Sequence, residues 1–118
     1  ITINDIFGKE GLINSKFDSY EYRDSQVKFS QDIEQTILNK NYLVAEAGAG
    51  LGKSYAYLFS SLNCINSKES QIVVSTNTHS LQNQIYYKDI PFVLDILNKE
   101  CKVTIIKGIN NYLCITIY

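Results

Sequence analysis

The chain has no methionine, no tryptophan, a single proline and no surplus of either charge. A chain that begins at Ile1 and contains no methionine is not a complete primary translation product as it stands, and is expected to be a processed form or a piece of a longer protein. Lys and Arg number 11 against 12 Asp and Glu, for a net charge of -1, so the bulk basic surface that binds nucleic acid without selectivity is missing. Contact with DNA or RNA has to come from particular residues. No apolar run approaches the roughly 20 residues of a membrane-spanning helix. The start ITINDIFGKE lacks both the basic opening and the apolar core of a signal peptide. Membrane and secreted classes are disfavoured, and a cytoplasmic location is expected. Three scattered cysteines, Cys64, Cys101 and Cys114, cannot all pair with one another, and no CxxC occurs. That argues against a disulfide framework or a zinc finger and for a reducing compartment.

What remains is enough for one modest domain. The 118 residues are 45% hydrophobic and 19% charged, a composition that can bury a core. Residues 1–22, interrupted by Gly8 and Gly11, show no clear period and read as an irregular lead-in. Over 23–40, Val27, Ser30, Ile33, Ile37 and Leu38 form a helical stripe, with Lys28, Asp32 and Glu34 on the other face. NYLVA (41–45), QIVVST (71–76) and KVTIIK (102–107) are short apolar runs rich in β-branched residues and suit buried strands. Helical spacing returns over 53–66, 80–88 and 92–99, with Pro91 expected to separate the last two helices. Strands alternating with helices predict a βαβαβ core over 41–113: an open parallel α/β sheet with helices on both faces.

The most informative stretch is AGAGLGKS, Ala47 to Ser54, at a predicted strand-to-helix junction. It follows the phosphate-loop pattern GxxxxGK[ST] except that Ala47 stands at the first glycine position. Gly48, Gly50 and Gly52 free the backbone to bring its N–H groups against phosphate oxygens, and the helix opening near Lys53 adds its positive end. Lys53 would reach the β- and γ-phosphates, and the Ser54 hydroxyl would ligate Mg²⁺. Ala47, Ala49 and Leu51 complete the loop backbone. The competing reading, a glycine-rich turn with a chance lysine, leaves the junction unexplained. The loop alone does not say which NTP is bound or what work is done.

Other segments narrow the field: YEYRDSQVKF (20–29) with Arg23 and Gln26, IVVSTNTHSLQNQI (72–85), KGINNYLC (107–114), and IFGKEGLI near the start. Together with EAGAGLGKS, and in this order, they resemble the iron-sulfur DNA helicases of the second helicase superfamily, the DinG and XPD group. The resemblance covers nearly the whole chain. It implies the N-terminal part of the first RecA-like P-loop NTPase motor domain, here incomplete. The activity it implies is an ATP-dependent DNA helicase, a monomer that hydrolyses ATP and moves on single-stranded and forked DNA, typically five-prime to three-prime.

Residue by residue, the resemblance makes 23–40 the adenine-reading helix. Gln26 matches the glutamine whose amide donor and acceptor suit the adenine edge, while Arg23 orients the segment. Without the resemblance, Gln26 reads as a solvated helix glutamine. Thr76, Asn77 and Thr78 match the segment that holds the single-stranded DNA backbone. The same residues also read as a capping turn, with Thr78 or Ser80 as N-cap. His79, with no paired carboxylate or cysteine near it in sequence, reads as a surface residue. Cys114 matches the first of four cysteines that hold a [4Fe-4S] cluster, so 114–118 would begin the iron-sulfur region. Cys64 and Cys101 read as small core or surface residues, and the chain as given cannot complete that cluster. Ile109 departs from the family, which commonly has arginine there.

ATP hydrolysis also needs a second acidic element. The only apolar run ending in an acid is PFVLD, and Asp95 reads as a solvated helix residue rather than a DEAH-like box. The isolated chain is therefore expected to bind nucleotide without turnover. The competing readings are a non-catalytic P-loop module or truncated gene product, and a small P-loop kinase. The kinase would leave 76–82 and KGINNYLC without a role.

Overall fold

Thr2 stands three residues before Asp5, and the two close a reciprocal cap. The Thr2 hydroxyl accepts from the Asp5 amide, and the Asp5 carboxylate accepts from the Thr2 amide at 2.7 Å. This cap opens α1 (Ile3–Phe7) in the computed structural model, which describes residues 1–48 and 50–113. Ile3, Ile6 and Phe7 follow helical spacing and all three are buried. Gly8 and Gly11 turn the chain into α2 (Leu12–Lys16), whose Ile13 joins them. The expected irregular lead-in over 1–22 is thus corrected: two five-residue helices, too short to show a period in sequence, supply part of the core.

The central pair is α3 (Asp24–Leu38) and α4 (Lys53–Cys64). Their contact is lined by small residues: Ser30, Ala56 and Ser60 are all fully buried. The buried hydroxyls are satisfied on backbone. Ser30 Oγ donates to Gln26 O at 2.8 Å, and Ser60 Oγ lies 2.7 Å from Ala56 O and 3.0 Å from Ser30 O. Small side chains with internal partners let the two helices approach closely without orphaned polar groups. On its other side α4 presents Phe59, edge-on to Phe7 at 5.3 Å and to Phe92 at 6.2 Å between ring centroids.

Phe92 belongs to α6 (Ile90–Leu97), which continues directly from α5 (His79–Gln84) through a π-helical turn at Ile85–Asp89. Pro91 therefore does not separate two helices as expected. It sits in the first turn of α6, where its missing N–H is tolerated, and the widened turn before it absorbs the disturbance of the ladder. Asn98, in the left-handed region at φ 50°, ends α6. Lys99 Nζ then donates to the carbonyls of Leu62, Asn63 and Ile65 at 2.8, 3.2 and 3.1 Å, capping the C-terminal end of α4 with a cation.

The expected parallel sheet is not found. Among the described residues there is no strand or ladder, and the RecA-like α/β sheet and βαβαβ core are replaced by a helical arrangement. The segments 41–45, 71–76 and 102–107 are irregular and make no backbone hydrogen bonds to one another. Their apolar residues alternate. Tyr42 and Val44 are fully exposed while Leu43 and Ala45 line a groove with Phe29, Ile33 and Tyr57; Val73 is 90% exposed between the better covered Ile72 and Val74; Val103 and Ile105 are half-buried. The first run lies along Phe29, Ile33 and Tyr57 on one side, and the third is tied to α5 by Gln82 and Lys107. Apolar, β-branched composition favours extended backbone, but a strand also needs a partner for its N–H and C=O groups, and these runs have none in one another.

Candidate nucleotide site

The loop entering α4 is shaped by two glycines in the left-handed region, Gly50 at φ 79° and Gly52 at φ 78°, a conformation side chains with a Cβ rarely adopt. Gly52 is the N-cap of α4, so the loop's amides lie next to the positive end of a twelve-residue helix. Lys53, the first residue of that helix, folds back so that Nζ donates to Ala47 O at 3.0 Å and spans the loop. Ser54 is half-buried in the first turn. Gly48 has open space around it, whereas a Cβ at Gly52 would collide with the amide nitrogen of Gln26. Leu51 is half-buried, and Ala49 lies outside the described residues.

Gln26 is only 4% exposed. Its Nε2 donates to Gly52 O at 3.2 Å and its Oε1 accepts from Tyr20 Oη at 3.0 Å. One amide hydrogen and one carbonyl lone pair therefore remain for any other partner. Arg23 pairs with Glu21 at 3.2 Å and extends toward Gly50. An open cavity of about 640 Å³ runs along the loop, lined by Arg23, Lys28, Asp32, Glu46, Gly48 and Gly50 among others. Charges of both signs line it: Arg23 and Lys28, Asp32 paired with Lys28 at 3.8 Å, and Glu46 directly before the loop.

Thr76, Asn77 and Thr78 lie at the entry to α5. The Thr78 hydroxyl accepts from the Leu81 amide at 3.2 Å, so Thr78 rather than Ser80 is the N-cap, and Thr76 Oγ1 donates to Thr78 O at 3.3 Å. The same helix holds the third apolar run. Gln82 Nε2 donates to Ile106 O at 2.8 Å, and Lys107 Nζ donates to Asn83 Oδ1 at 3.2 Å. The start of KGINNYLC is therefore tied to the helix that follows the STNT segment, a juxtaposition that sequence order does not disclose. His79 is exposed.

Ile109 is exposed in a short 3-10 turn, Ile109–Asn111, and Cys114 with the rest of 114–118 lies outside the described residues. Cys64 is half-buried at the end of α4, where burial pushes its thiol above the ordinary range, and Cys101 is exposed. Asp95 is exposed and pairs with Lys16 at 3.1 Å. Among the described residues no three His, Cys, Asp or Glu side chains converge on a metal position, and no helix is long and apolar enough to cross a membrane.

Over most of its length the chain is similar to proteins named as DNA helicases and as DinG exonucleases. It is 34% identical over 113 residues to the ATP-dependent DNA helicase YoaA of Haemophilus influenzae and 33% identical over 113 residues to YoaA of Escherichia coli. It is 30% identical over 108 residues to the 3'-5' exonuclease DinG of Bacillus subtilis. These alignments take in 96%, 96% and 92% of this chain but only 17%, 17% and 12% of the relatives' own lengths. The DinG-type resemblance read from the motifs thus extends to named homologues, over a stretch that is about a sixth or less of each. No family model and no solved structure matches the chain.

Proposed function

We propose that the chain is the ATP-binding portion of a DinG-like, ATP-dependent DNA helicase. The observation that carries this reading is the loop itself: two glycines at positive φ open α4, and Lys53 arches over the backbone that would cradle the phosphates. Bound ATP would take the place of the Ala47 carbonyl as the partner of Lys53, a bond the lysine can exchange without moving the helix. Ser54 would hold Mg²⁺, which offsets the charge of the phosphates. Gln26 would meet the adenine with its remaining donor and acceptor. Thr76, Asn77 and Thr78 would hold the backbone of single-stranded DNA, within a monomer that translocates on single-stranded and forked DNA. In the whole protein Cys114 would be the first ligand of a [4Fe-4S] cluster, on the strength of its place in KGINNYLC.

Titration of the 118-residue chain with ATP and Mg²⁺, followed by calorimetry, tests the reading. Binding at or below millimolar concentration is expected, weakened at least about tenfold in Lys53→Ala through loss of a charge-assisted contact. A folded sample that binds neither ATP nor ADP would refute the nucleotide site. Steady turnover by this chain, abolished in Lys53→Ala, would instead show that one of its acids, Asp95 first, had been misread as solvated.

A further inference from the structure

The lead-in and the phosphate loop are joined by a short chain of hydrogen bonds. Tyr20 Oη lies 3.0 Å from Gln26 Oε1 and 3.3 Å from Phe7 O at the end of α1. The Gln26 amide nitrogen donates to Gly52 O at 3.2 Å, and that carbonyl also accepts the first helical bond of α4, from the Ala56 amide at 3.1 Å. An amide side chain can be turned either way round. Here the Gly52 carbonyl requires the nitrogen, which leaves the oxygen facing the Tyr20 hydroxyl; that hydroxyl has one proton, and the shorter of its two contacts gives it to Gln26 Oε1 rather than to Phe7 O. Burial keeps the Tyr20 phenol protonated well past neutrality, so it remains a donor. Glycine at position 52 is also explained, since any Cβ there would strike the Gln26 amide.

We infer that Tyr20 is a positioning residue, which locks the Gln26 amide against Gly52 and so sets the shape of the phosphate loop where it enters α4. The Tyr20 hydroxyl bonds to Gln26 and Phe7 rather than to the loop, so it acts through Gln26. The consequence is that α1 and the loop are held by one connected set of bonds, and loss of the phenol hydroxyl loosens the first turn of α4 before it loosens the core.

Amide hydrogen exchange of Tyr20→Phe in the nucleotide-free chain tests this without any assumption about ligand. Exchange at Ala56 is expected to rise about three- to tenfold, the loss of one net hydrogen bond, while Ile96 and Leu97 in α6 keep their protection. Unchanged exchange at Ala56, or an equal rise at all three amides, overturns the assignment. Should Tyr20→Phe fail to fold, Gln26→Leu, which removes the same link at similar volume, is read by the same criterion. A second arm rests on the nucleotide-site reading. ATP affinity should fall about three- to tenfold in Tyr20→Phe and not fall further when Tyr20→Phe is added to Gln26→Leu. Additive losses in that double variant overturn the positioning role. If the parent chain binds no nucleotide, the proposed function fails while the exchange measurement still decides the role of Tyr20.

Discussion

The helices and the three apolar runs are built from similar residues, yet their side chains end in opposite places. Phe59 in α4 is fully buried among Phe7, Tyr55 and Phe92, whereas Val44, nine residues before α4 begins, stands fully in solvent. The difference lies in the backbone. A helix satisfies its N–H and C=O groups within itself and can commit an apolar stripe to any neighbour. An extended run has to find partners for backbone and side chains together, and 41–45, 71–76 and 102–107 find no backbone partners in one another. Apolar composition states what a segment gains from burial; it does not supply the surface that buries it.

The largest expected effect breaks this comparison at its strongest point. Phe59→Ala should cost about 3–5 kcal/mol in urea unfolding, because the emptied site is bounded by rings that cannot all move in. Val44→Ala should change stability by less than about 0.5 kcal/mol. A Val44 effect as large as that of Phe59 would show that the first apolar run is buried in solution. Next in size is the junction between the helices. Lys99→Met removes the cation that holds three carbonyls at the end of α4, and should destabilise by about 1–2 kcal/mol. If α4 owes its C-terminal end to packing alone, the methionine variant will melt with the parent.

The central helices α3 and α4 were legible because fifteen and twelve residues give the apolar period room to repeat. The glycine turn entering α4 stood out in sequence because Gly48, Gly50 and Gly52 crowd the residues just before the helix, and two of them take positive φ. The lead-in was not, although Thr2 and Asp5 carried the capping pattern and Ile3, Ile6 and Phe7 the right spacing; a single turn offers too few positions to separate a period from chance. The apolar runs misled for a different reason. NYLVA reads as continuous when its residues are counted, yet Tyr42 and Val44 point one way and Leu43 and Ala45 the other, the alternation of a run covered on one side. In the site, the contact of Gln26 with Gly52 spans 26 positions and that of Lys107 with Asn83 spans 24. Both depend on how helices dock, which local spacing does not encode.

The smallest expected effect concerns the helix that sequence missed. The reciprocal bonds with Thr2 hold the Asp5 carboxyl below its ordinary value of 3.8, through the Thr2 amide first and its hydroxyl second. A carboxyl whose folded-state pKa is depressed lends its stability in full above the unfolded value, and loses it as pH falls below 3.8 through the folded value. Asp5→Asn keeps the shape but not the charge. Its thermal midpoint should therefore lie slightly below the parent's at neutral pH, and the gap should close in acid as the parent's own carboxylate is protonated. The absence of any gap at neutral pH would mean that α1 is held by Ile3, Ile6 and Phe7 rather than by its cap. The lead-in would then belong with the packed helices in origin as well as in place, its cap contributing no more to stability than the exposed side chain of Val44.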